Sequence, residues 1–459
     1  MRQFKWQTET TCPKDVTFAW FEHRGSFRRL MPPWEVAEEI KADNTLEVGS
    51  QRVFRFPMGP IKMTWVAEHT SYDPPHHFTD KMVKGPFRYW CHNHTLTEAN
   101  GVTTVTDEVT YQVPFRSLGH LIAGRSIRKR LARMFHAREL RLRRDLKRHM
   151  EFSDFSRKRI LIAGSSGLIG TQLSAFLDTG GHDVWKLVRR DPLFENKEIF
   201  WNPNQGEINS SDIEGFDVII HLGGEGIGDK RWSQKRKQAI LDSRVNSTIL
   251  LAKTMSRIDK KPDLFIIANA IGWYGDRKDE ILDESSENGE GFLPEICKKW
   301  EESSKHVEGT GIRKIHLRTG IVLDATGGAL AKMLLPAKLG IGGPIGRGKQ
   351  WMSWISMDDQ IYAINHLLMM SNTEGVYNLV SPNPIQQKFF ARTLGNVLRR
   401  PAFIPTPPLA IRVLYGQMGV SLTTESQRVL PKRLIESGYN FEHDDLKIAL
   451  QDSLGKWKL

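Results

Sequence analysis

Residues 160–170 read ILIAGSSGLIG, and this short segment constrains the fold more than any other part of the sequence. An apolar run leads into three glycines, at positions 164, 167 and 170, and a helix-like stretch, LIGTQLSAFLDTGG, follows. Glycines at a turn between a strand and a helix let backbone N–H groups approach a pyrophosphate, which the N-terminus of the helix then faces. In this strand-then-helix context the motif predicts a nucleotide-binding turn.

The sequence after this turn repeats the alternation of strand and helix. Apolar runs separated by amphipathic stretches are RILIAG, HDVWKLV, DVIIHLG, LFIIANA and KIHLRTGIVL. Continuous apolar strands with intervening helices are typical of α/β proteins with a doubly wound parallel (Rossmann) sheet, covered on both faces. We predict this Rossmann domain over residues 158–395. The proline-rich segment that follows predicts a helical C-terminal segment over 396–459.

The first 150 residues have a different pattern. Alternating stretches break at Gly59-Pro60 and at Asn100-Gly101, which predicts antiparallel hairpins. One long helical stretch follows, and a curved sheet that grips it would bury its apolar stripe. That stripe consists of Ile127, Leu131, Phe135 and Leu142. We therefore predict a separate α+β domain over residues 1–150 and a linker over residues 151–157.

Composition limits the remaining alternatives. The chain has 459 residues and a formal net charge of +12. The cysteines Cys12, Cys91 and Cys297 lie far apart, so neither a disulfide framework nor a metal-binding spacing is present. The N-terminus lacks the apolar core of a signal peptide, and no run of 18 apolar residues occurs. We expect a cytoplasmic protein without a membrane span, and its oligomeric state is left open.

Much of the positive charge lies in residues 125–148, which contain eleven Lys or Arg residues and two acidic residues. We interpret this stretch as a solvated helix face. A patch that binds nucleic acid or an anionic membrane is a second interpretation and depends on charge alone. A third interpretation is contact with another domain.

The end of the second Rossmann strand predicts the type of cofactor. NAD-binding sites place an acidic residue about 20 positions after the glycines, where it holds the ribose 2′-hydroxyl. This chain has Arg189 and Arg190 in that region. Because guanidinium groups suit a 2′-phosphate, the sequence favours NADP(H) over NAD(H).

The glycine spacing, Gly-x-x-Gly-x-x-Gly, resembles that of extended short-chain dehydrogenase/reductases. HLGGEGI (221–227), WYGD (273–276), LRTGIVL (317–323) and SWISMDD (353–359) resemble later signatures of these proteins. GDKRW, LGIGGPIGRGKQWMSWI and LPKRLIESGYNF are most similar to the branch of epimerase-family, nucleoside-diphosphate-sugar-epimerase-like oxidoreductases. Residues 1–150 resemble START-like, polyketide-cyclase-like helix-grip domains, which implies a lipid-like or aromatic ligand in that domain.

The resemblance implies a set of cofactor contacts. The residues expected at the pyrophosphate turn are Gly164, Gly167, Leu168, Ile169 and Gly170. Arg189 and Arg190 would bind the 2′-phosphate. The family pattern places Leu222 and Gly223 beside the adenosine. It places Arg244 at a position after this loop that faces the cofactor, and Ile321 near the nicotinamide.

The catalytic residues of the family are not found at their expected positions. Its Tyr and the Lys four residues later, which supply acid/base chemistry, fall near Leu293 and Cys297. The Ser that orients the substrate falls on Asn269 or Ala270. Tyr274, in the loop after the fifth strand, is the substitute that we predict as the catalytic acid/base.

Other candidates have simpler interpretations. His92 and His94 alternate on a strand and face one side, whereas Cys91 faces the other. We therefore expect satisfied histidines and no metal site. Trp351 and Trp354 either line a substrate cleft or bury apolar area.

The sequence as a whole predicts an NADP(H)-binding, epimerase-like oxidoreductase that acts on an unidentified small molecule. A nucleotide-sugar epimerase is an alternative of the same class. A catalytically silent sensor of NADPH or of a lipid-like ligand is the alternative of a different class.

Overall fold

The computed structural model of the chain describes residues 1–58, 61–114 and 116–458. It has two compact units. One contains residues 1–155, 175–181 and the last residues from Trp457, and the other contains residues 156–174 and 182–456. The break between residues 155 and 156 falls inside the stretch that the sequence predicts as a linker.

The first unit is built on a seven-stranded antiparallel sheet, whose strands lie in the order β1-β7-β6-β5-β4-β3-β2. A 35-residue helix, α3, follows the last strand. The elements are β1 Arg2–Thr10, α1 Lys14–Glu22, α2 Ser26–Leu30, β2 Glu38–Ala42, β3 Gln51–Met58, β4 Ile61–Asp73, β5 His77–Lys84, β6 Tyr89–Ala99, β7 Val102–Gln112 and α3 Arg116–Met150. Strands followed by one long helix are the predicted helix-grip arrangement, so that prediction is confirmed.

The predicted turn at Asn100-Gly101 joins β6 to β7. Both residues have positive φ, 53° and 73°, and the flanking Ala99 and Val102 are paired. Two positive φ angles in a two-residue loop match the twist of the strands they connect. The other predicted turn, Gly59-Pro60, lies outside the described residues.

Helix α3 buries most of the predicted apolar stripe against the sheet. Leu131, Phe135 and Leu142 are buried, and Ile127 is partly buried beside them. The Phe135 ring packs against Phe4 of β1, with the two ring centroids 5.3 Å apart.

The basic residues of α3 do not all face solvent, which corrects the interpretation of residues 125–148 as a solvated face. Arg141 and Arg148 are buried, with 8% and 5% of their surface exposed. The acidic Asp145 is fully buried and forms an ion pair with Arg29 of α2 at 2.6 Å. The charge excess of this segment is therefore partly internal to the first unit.

The second unit contains an eight-stranded sheet flanked by helices. Its first half contains β8 Arg159–Ala163, the start of α4 Leu168–Thr179 (residues 168–174; the rest of the helix belongs to the first unit), β9 Asp183–Val188, β10 Glu198–Asn202, β11 Glu207–Ile208, β12 Val218–His221, α5 Gln234–Arg257, β13 Leu264–Ala270, β14 Ile281–Leu282 and α6 Phe292–Glu302. Its second half contains β15 Arg313–Thr319, β16 Ile321–Leu323, α7 Gly328–Lys338, β17 Trp351–Met352, β18 Trp354–Ser356, α8 Met357–Met369, β19 Gly375–Leu379, β20 Ile385–Gln386, α9 Gln387–Leu398, α10 Pro408–Thr424, β21 Arg428–Val429, α11 Lys432–Glu436 and α12 Leu446–Leu454. Short 3₁₀ turns cover Phe194–Asn196, Ser210–Asp212, Ile271–Tyr274 and Ser303–Val307.

The order of the strands is β11-β10-β9-β8-β12-β13-β15-β19, and every pair except β10–β11 is parallel. The chain runs outward from β8 in one direction and then returns to start β12 on its other side. Ligands of such sheets bind at the carboxyl ends of the strands, beside this switch point. The predicted doubly wound sheet is confirmed, and the crevice lies after β8 and β12.

Apolar side chains fill both sides of this sheet. The central strands are fully buried, as Leu161, Ile219 and Phe265 illustrate. A second cluster joins α7, α9 and α12, with Leu334, Leu394 and Leu450 among its members. Among the described residues, no helix combines the length and the hydropathy needed to cross a membrane.

Candidate functional site

The glycine turn between β8 and α4 is tight because each glycine lies against backbone. Gly164 has a φ of 84°, and a Cβ there would lie 2.7 Å from the nitrogen of Gly223 at the end of β12. A Cβ at Gly170 would lie 2.2 Å from the Gly164 oxygen. The Gly167 N–H donates to that same oxygen at 3.0 Å. Glycine is required at positions 164 and 170 of this turn, which leaves the first backbone N–H groups of α4 for a ligand.

Leu168 and Ile169 are the first two residues of α4, and both are half-buried. The Leu168 side chain lies beneath the loop after β16, where a Cβ at Gly327 would approach it to 2.8 Å. This contact fixes the start of α4 against the sixth-strand region of the same unit. The predicted pyrophosphate residues are therefore brought together, and their role in binding stays a prediction.

The two arginines after β9 differ in their surroundings. Arg190 donates to both carboxylate oxygens of Glu198, at 2.8 and 2.7 Å, and Glu198 is only 7% exposed. Arg189 is exposed, and in the described part of the chain no hydrogen bond or ion pair engages its guanidinium. Of the two predicted 2′-phosphate ligands, Arg189 is therefore the one whose charge is available.

Leu222 and Gly223 continue β12 into the loop that faces the glycine turn. The Leu222 N–H donates to the Ala163 oxygen at 2.8 Å, and the Gly223 N–H donates to His221 Nδ1 at 3.3 Å. The other nitrogen of His221 lies 2.8 Å from Ser247 Oγ, and burial lowers the pKa of this histidine to about 3. His221 is thus a neutral imidazole that holds the loop.

Arg244 of α5 is a buried cation. It is 7% exposed, and a Cβ at Gly224 would lie 3.0 Å from its guanidinium carbon. Its Nη1 donates to the Ile240 oxygen at 3.0 Å, whereas its Nε is buried without a hydrogen-bond partner. Burial lowers its pKa to about 10, and in the described part of the chain no carboxylate pairs with it. A buried positive charge without a carboxylate beside the crevice suits an anionic ligand.

A row of polar side chains crosses the carboxyl ends of three neighbouring strands. The register places Asn269 of β13 beside Arg318 of β15, and Arg318 beside Asn378 of β19. Glu301 of α6 receives two hydrogen bonds from Arg318, at 2.9 and 3.1 Å, and one from Asn269 at 2.8 Å. Sequence reasoning missed Glu301, Arg318 and Asn378. Asn378 is a polar residue in an otherwise apolar strand, whereas Glu301 and Arg318 lie in stretches with several charged residues and gave no such signal.

Tyr274, the predicted acid/base, belongs to this row. It is fully buried, and its hydroxyl donates to Asn378 Oδ1 at 2.8 Å and accepts from Arg318 Nη1 at 3.1 Å. Burial raises the pKa of Tyr274 to about 12, against the opposing effect of Arg318. A general base at neutral pH needs the opposite direction. The geometry favours a structural role for Tyr274, and its catalytic role stays a prediction.

The positions of the family's Tyr and Lys are closed to acid/base chemistry. Leu293 and Cys297 are 9% and 4% exposed, and a Cβ at Gly272 would lie within 3.6 Å of both side chains. Burial raises the pKa of the Cys297 thiol to about 12, so it is a neutral thiol at physiological pH. Asn269, at the Ser position, uses its amide on Glu301 and the Cys297 oxygen.

The later predicted positions lie in the short strands β16, β17 and β18, and the contact of Ile321 with the nicotinamide stays a prediction. Trp354 is fully buried, and its indole donates to the Asn383 oxygen at 3.1 Å, so it does not line a cleft. Trp351 donates to Asp279 at 2.8 Å and stacks under Arg428. Ile321 starts β16, pairs with Trp354 and is half-buried.

A parallel sheet with a glycine turn at its switch point and a buried cation beside it defines a nucleotide-binding protein of the Rossmann class. The sequence model of the NAD dependent epimerase/dehydratase family matches residues 160–294. The model of the family described as polyketide cyclase / dehydrase and lipid transport matches residues 12–138. The model of a domain of unknown function (DUF1731) matches residues 406–453.

The chain belongs to the epimerase family. It is 35% identical over 291 residues to an epimerase family protein of Mycobacterium bovis, which corresponds to 63% of this chain and 96% of the relative. A solved nucleoside-diphosphate sugar epimerase from Corynebacterium glutamicum is 30% identical, with a TM-score of 0.82 over 98% of this chain and 90% of that one.

A human epimerase family protein, SDR39U1, has been solved with NADPH. It is 31% identical to this chain, with a TM-score of 0.61 over 65% of this chain and 100% of the human one. The comparison confirms, at the level of the family, the cofactor type that the sequence predicts.

Proposed function

We propose that this chain binds NADP(H) at the carboxyl edge of its parallel sheet and uses it as a hydride carrier for a small molecule. The observation that carries the proposal is the buried Arg244, beneath Gly224 and beside the glycine turn; no carboxylate of the described residues forms an ion pair with it, although the charge of Glu225 acts on it. A buried charge without an ion-pair partner destabilises a fold, so the retention of Arg244 beside a crevice is best explained by an anionic ligand.

The choice of NADP(H) over NAD(H) follows from the second strand. Among the residues that the structure describes, none forms a hydrogen bond or ion pair with the Arg189 guanidinium, which lies where an NAD-binding protein would hold the ribose with an acid. Arg190 supports the same loop through Glu198. The human relative solved with NADPH supports the same choice.

A specific observation favours a second candidate, a binding protein without turnover. Leu293 and Cys297 occupy the acid/base positions, and the Tyr274 hydroxyl is already engaged by Asn378 and Arg318. Hydride transfer to a carbonyl also needs a proton. If no side chain supplies it, NADP(H) serves as a signal rather than as a reagent. Nucleotide-sugar epimerisation, the activity after which the C. glutamicum protein is named, remains the alternative within the enzyme class.

Two measurements test the proposal in sequence. Calorimetry of the full-length chain should give tighter binding of NADPH than of NADH by at least about tenfold, because a charge-assisted contact is worth about 1.5–3 kcal/mol. NADPH absorbance is then followed across a panel of carbonyl compounds, and product analysis is used for nucleotide sugars. Equal affinities would contradict the cofactor assignment. Tight NADPH binding without turnover of any panel member would replace the carrier with the binding protein.

A further inference from the structure

The first unit contains a polar cluster in the middle of its apolar core. It consists of Asp80 on β5, His92 and His94 on β6, and Asp107 on β7. On one side Phe78 stacks on His94 with the ring centroids 4.1 Å apart, and on the other the Phe135 ring lies 5.4 Å from His92. Phe78 and Phe135 belong to two separate apolar clusters, so the polar residues interrupt the core between them.

The strand register explains why these four side chains meet. Asp80 pairs with His92, and His94 pairs with Asp107, across neighbouring antiparallel strands. Directly paired residues face the same side of a sheet, and residues two apart on one strand do so as well. The sequence pattern alone offered Cys91 as the third ligand beside the two histidines, and Cys91 faces the other side of the sheet. The register supplies two carboxylates from other strands.

The two carboxylates hold the imidazoles in different ways. Asp107 Oδ1 lies 2.9 Å from His92 Nε2 in a hydrogen bond, and 2.8 Å from His94 Nδ1 at an angle too poor for one. Asp80 Oδ2 lies on the other side of both rings, 3.5 Å from His92 Nδ1 and 3.8 Å from His94 Nε2. Three donor atoms, one from each of Asp80, His92 and His94, lie within 4.8 Å of one another.

These separations fit the donors of one metal ion. Donors about 2.0–2.1 Å from a tetrahedral Zn²⁺ are about 3.3 Å apart, close to the 3.5 and 3.8 Å of this triangle. The distances from Asp107 Oδ1 to the two rings, 2.9 and 2.8 Å, are too short for a shared ion, and the contact with His92 Nε2 is a hydrogen bond. A carboxylate on the second nitrogen of a ligating histidine is the usual outer partner, since it fixes the tautomer and directs the lone pair at the metal.

Charge in the cluster also favours a cation. Asp80 and Asp107 carry two negative charges, and the positive group facing them from the helix is Arg138 of α3. With neutral imidazoles one negative charge is left over in a buried place, where an unpaired charge is costly. His69 of β4 faces Asp80 across the strand pair, and its buried Nδ1 has no hydrogen-bond partner. The Asp80 side chain is 18% exposed, so the cluster is not sealed from solvent.

We propose that Asp80, His92 and His94 form a binding site for a divalent transition-metal ion, with Asp107 positioning the two histidines. Two imidazoles and one carboxylate select zinc or a neighbouring first-row metal over magnesium or calcium, which prefer oxygen donors. The site belongs to the helix-grip unit. The experiments that test it measure metal binding and do not depend on the proposed NADP(H) function. A three-residue ligand set also leaves a coordination position for water or a ligand oxygen.

The test uses the full-length chain, treated with a chelator and exchanged into chelator-free buffer. We expect calorimetric titration with ZnCl₂ to give one ion per chain, and CoCl₂ to give the visible absorption of a low-coordinate Co²⁺ site. Asp80→Asn and His92→Gln should each weaken binding by at least about tenfold, since even outer partners contribute about 10–100-fold. Asp107→Asn should weaken it while one ion per chain is retained. His76→Gln removes an exposed histidine of the same unit as the matched control.

The outcomes distinguish a cluster that binds a metal ion from a cluster in which one histidine is protonated. Wild-type protein that shows no saturable one-to-one binding of Zn²⁺ or Co²⁺ would overturn the proposal in favour of a protonated histidine. Binding that survives Asp80→Asn, or that is lost equally in His76→Gln, would assign the ions to surface histidines and overturn it too. If a cluster variant fails to fold by circular dichroism, the stoichiometry and the Co²⁺ spectrum of the wild-type chain decide.

Discussion

Replacing Arg244 with methionine should stabilise the cofactor-free protein and weaken NADPH binding at the same time. Burial lowers the pKa of Arg244 from 12.5 to about 10. One pKa unit corresponds to about 1.4 kcal/mol, so holding this charge in the fold costs on the order of 3 kcal/mol. Methionine keeps an unbranched chain of similar length in the same place and carries no charge.

Two favourable contacts of Arg244 reduce the expected gain. The hydrogen bond to the Ile240 oxygen is worth about 1 kcal/mol, and the contact with the Trp300 ring, 5.0 Å away, about 0.5–1 kcal/mol. We therefore expect Arg244→Met to raise the free energy of unfolding of the apo protein by about 1–2 kcal/mol. The affinity for NADPH should fall roughly 10- to 100-fold, as for the loss of a charge-assisted hydrogen bond.

Urea denaturation of the apo protein and calorimetry with NADPH measure the two effects. Arg236→Met is the matched control, because Arg236 lies on the same helix but pairs with Glu225 at 2.8 Å. Removing it should not stabilise the protein. A methionine variant at position 244 that loses stability, or that binds NADPH as the wild type does, would refute the idea that this charge is kept for the cofactor.

Three further results are expected. Arg189→Ala should reduce the preference for NADPH over NADH by about tenfold in calorimetry, whereas Arg190→Ala should change this preference less, because Arg190 mainly holds its loop through Glu198. A larger loss of preference in Arg190→Ala than in Arg189→Ala would contradict the assignment. Tyr274→Phe should lower the thermal midpoint because Asn378 loses a buried donor, and if a substrate is found, a turnover loss of about 10²–10⁴-fold with unchanged stability would restore its catalytic role. His221 has a folded pKa of about 3, below its unfolded value of about 6.5, so the unfolded chain binds more protons between these values and stability falls with decreasing pH. Urea midpoints should decline below about pH 6.5, with about 1.4 kcal/mol per pH unit from this group, and His221→Gln should flatten the decline.

The glycine turn, the parallel sheet and the Asn100-Gly101 hairpin could be predicted because each is a local pattern. Gly164 needs a positive φ, and the apolar run before it needs a buried strand, so both requirements are visible in neighbouring residues. The strands β10 and β19 were missed. EIFWN contains a buried glutamate that serves Arg190, and GVYNL contains a buried asparagine, so neither reads as a continuous apolar strand.

The buried polar groups were not predictable because their partners are distant in sequence. Arg318 is paired with Glu301 of a helix 17 residues earlier and touches Tyr274, 44 residues away. The histidines on β6 meet Asp80 and Asp107 only through the register of three strands. Alternation predicts which face a residue occupies, but the pairing register decides which residues stand opposite it.

The loss of the Tyr and Lys pair is built into the packing of α6 and cannot be reversed at a single position. Cys297 lies near both Arg244 and Arg318, whose charges act on its thiol. A lysine at position 297 would place a third cation in this buried region, and the buried Leu293 packs beside the turn at Gly272. Arg244, suited to an anionic cofactor, and Arg318, paired with the partly buried Glu301, thus disfavour a lysine at position 297. Any hydride transfer by this chain must obtain its proton from a source other than the side chains of Leu293 and Cys297.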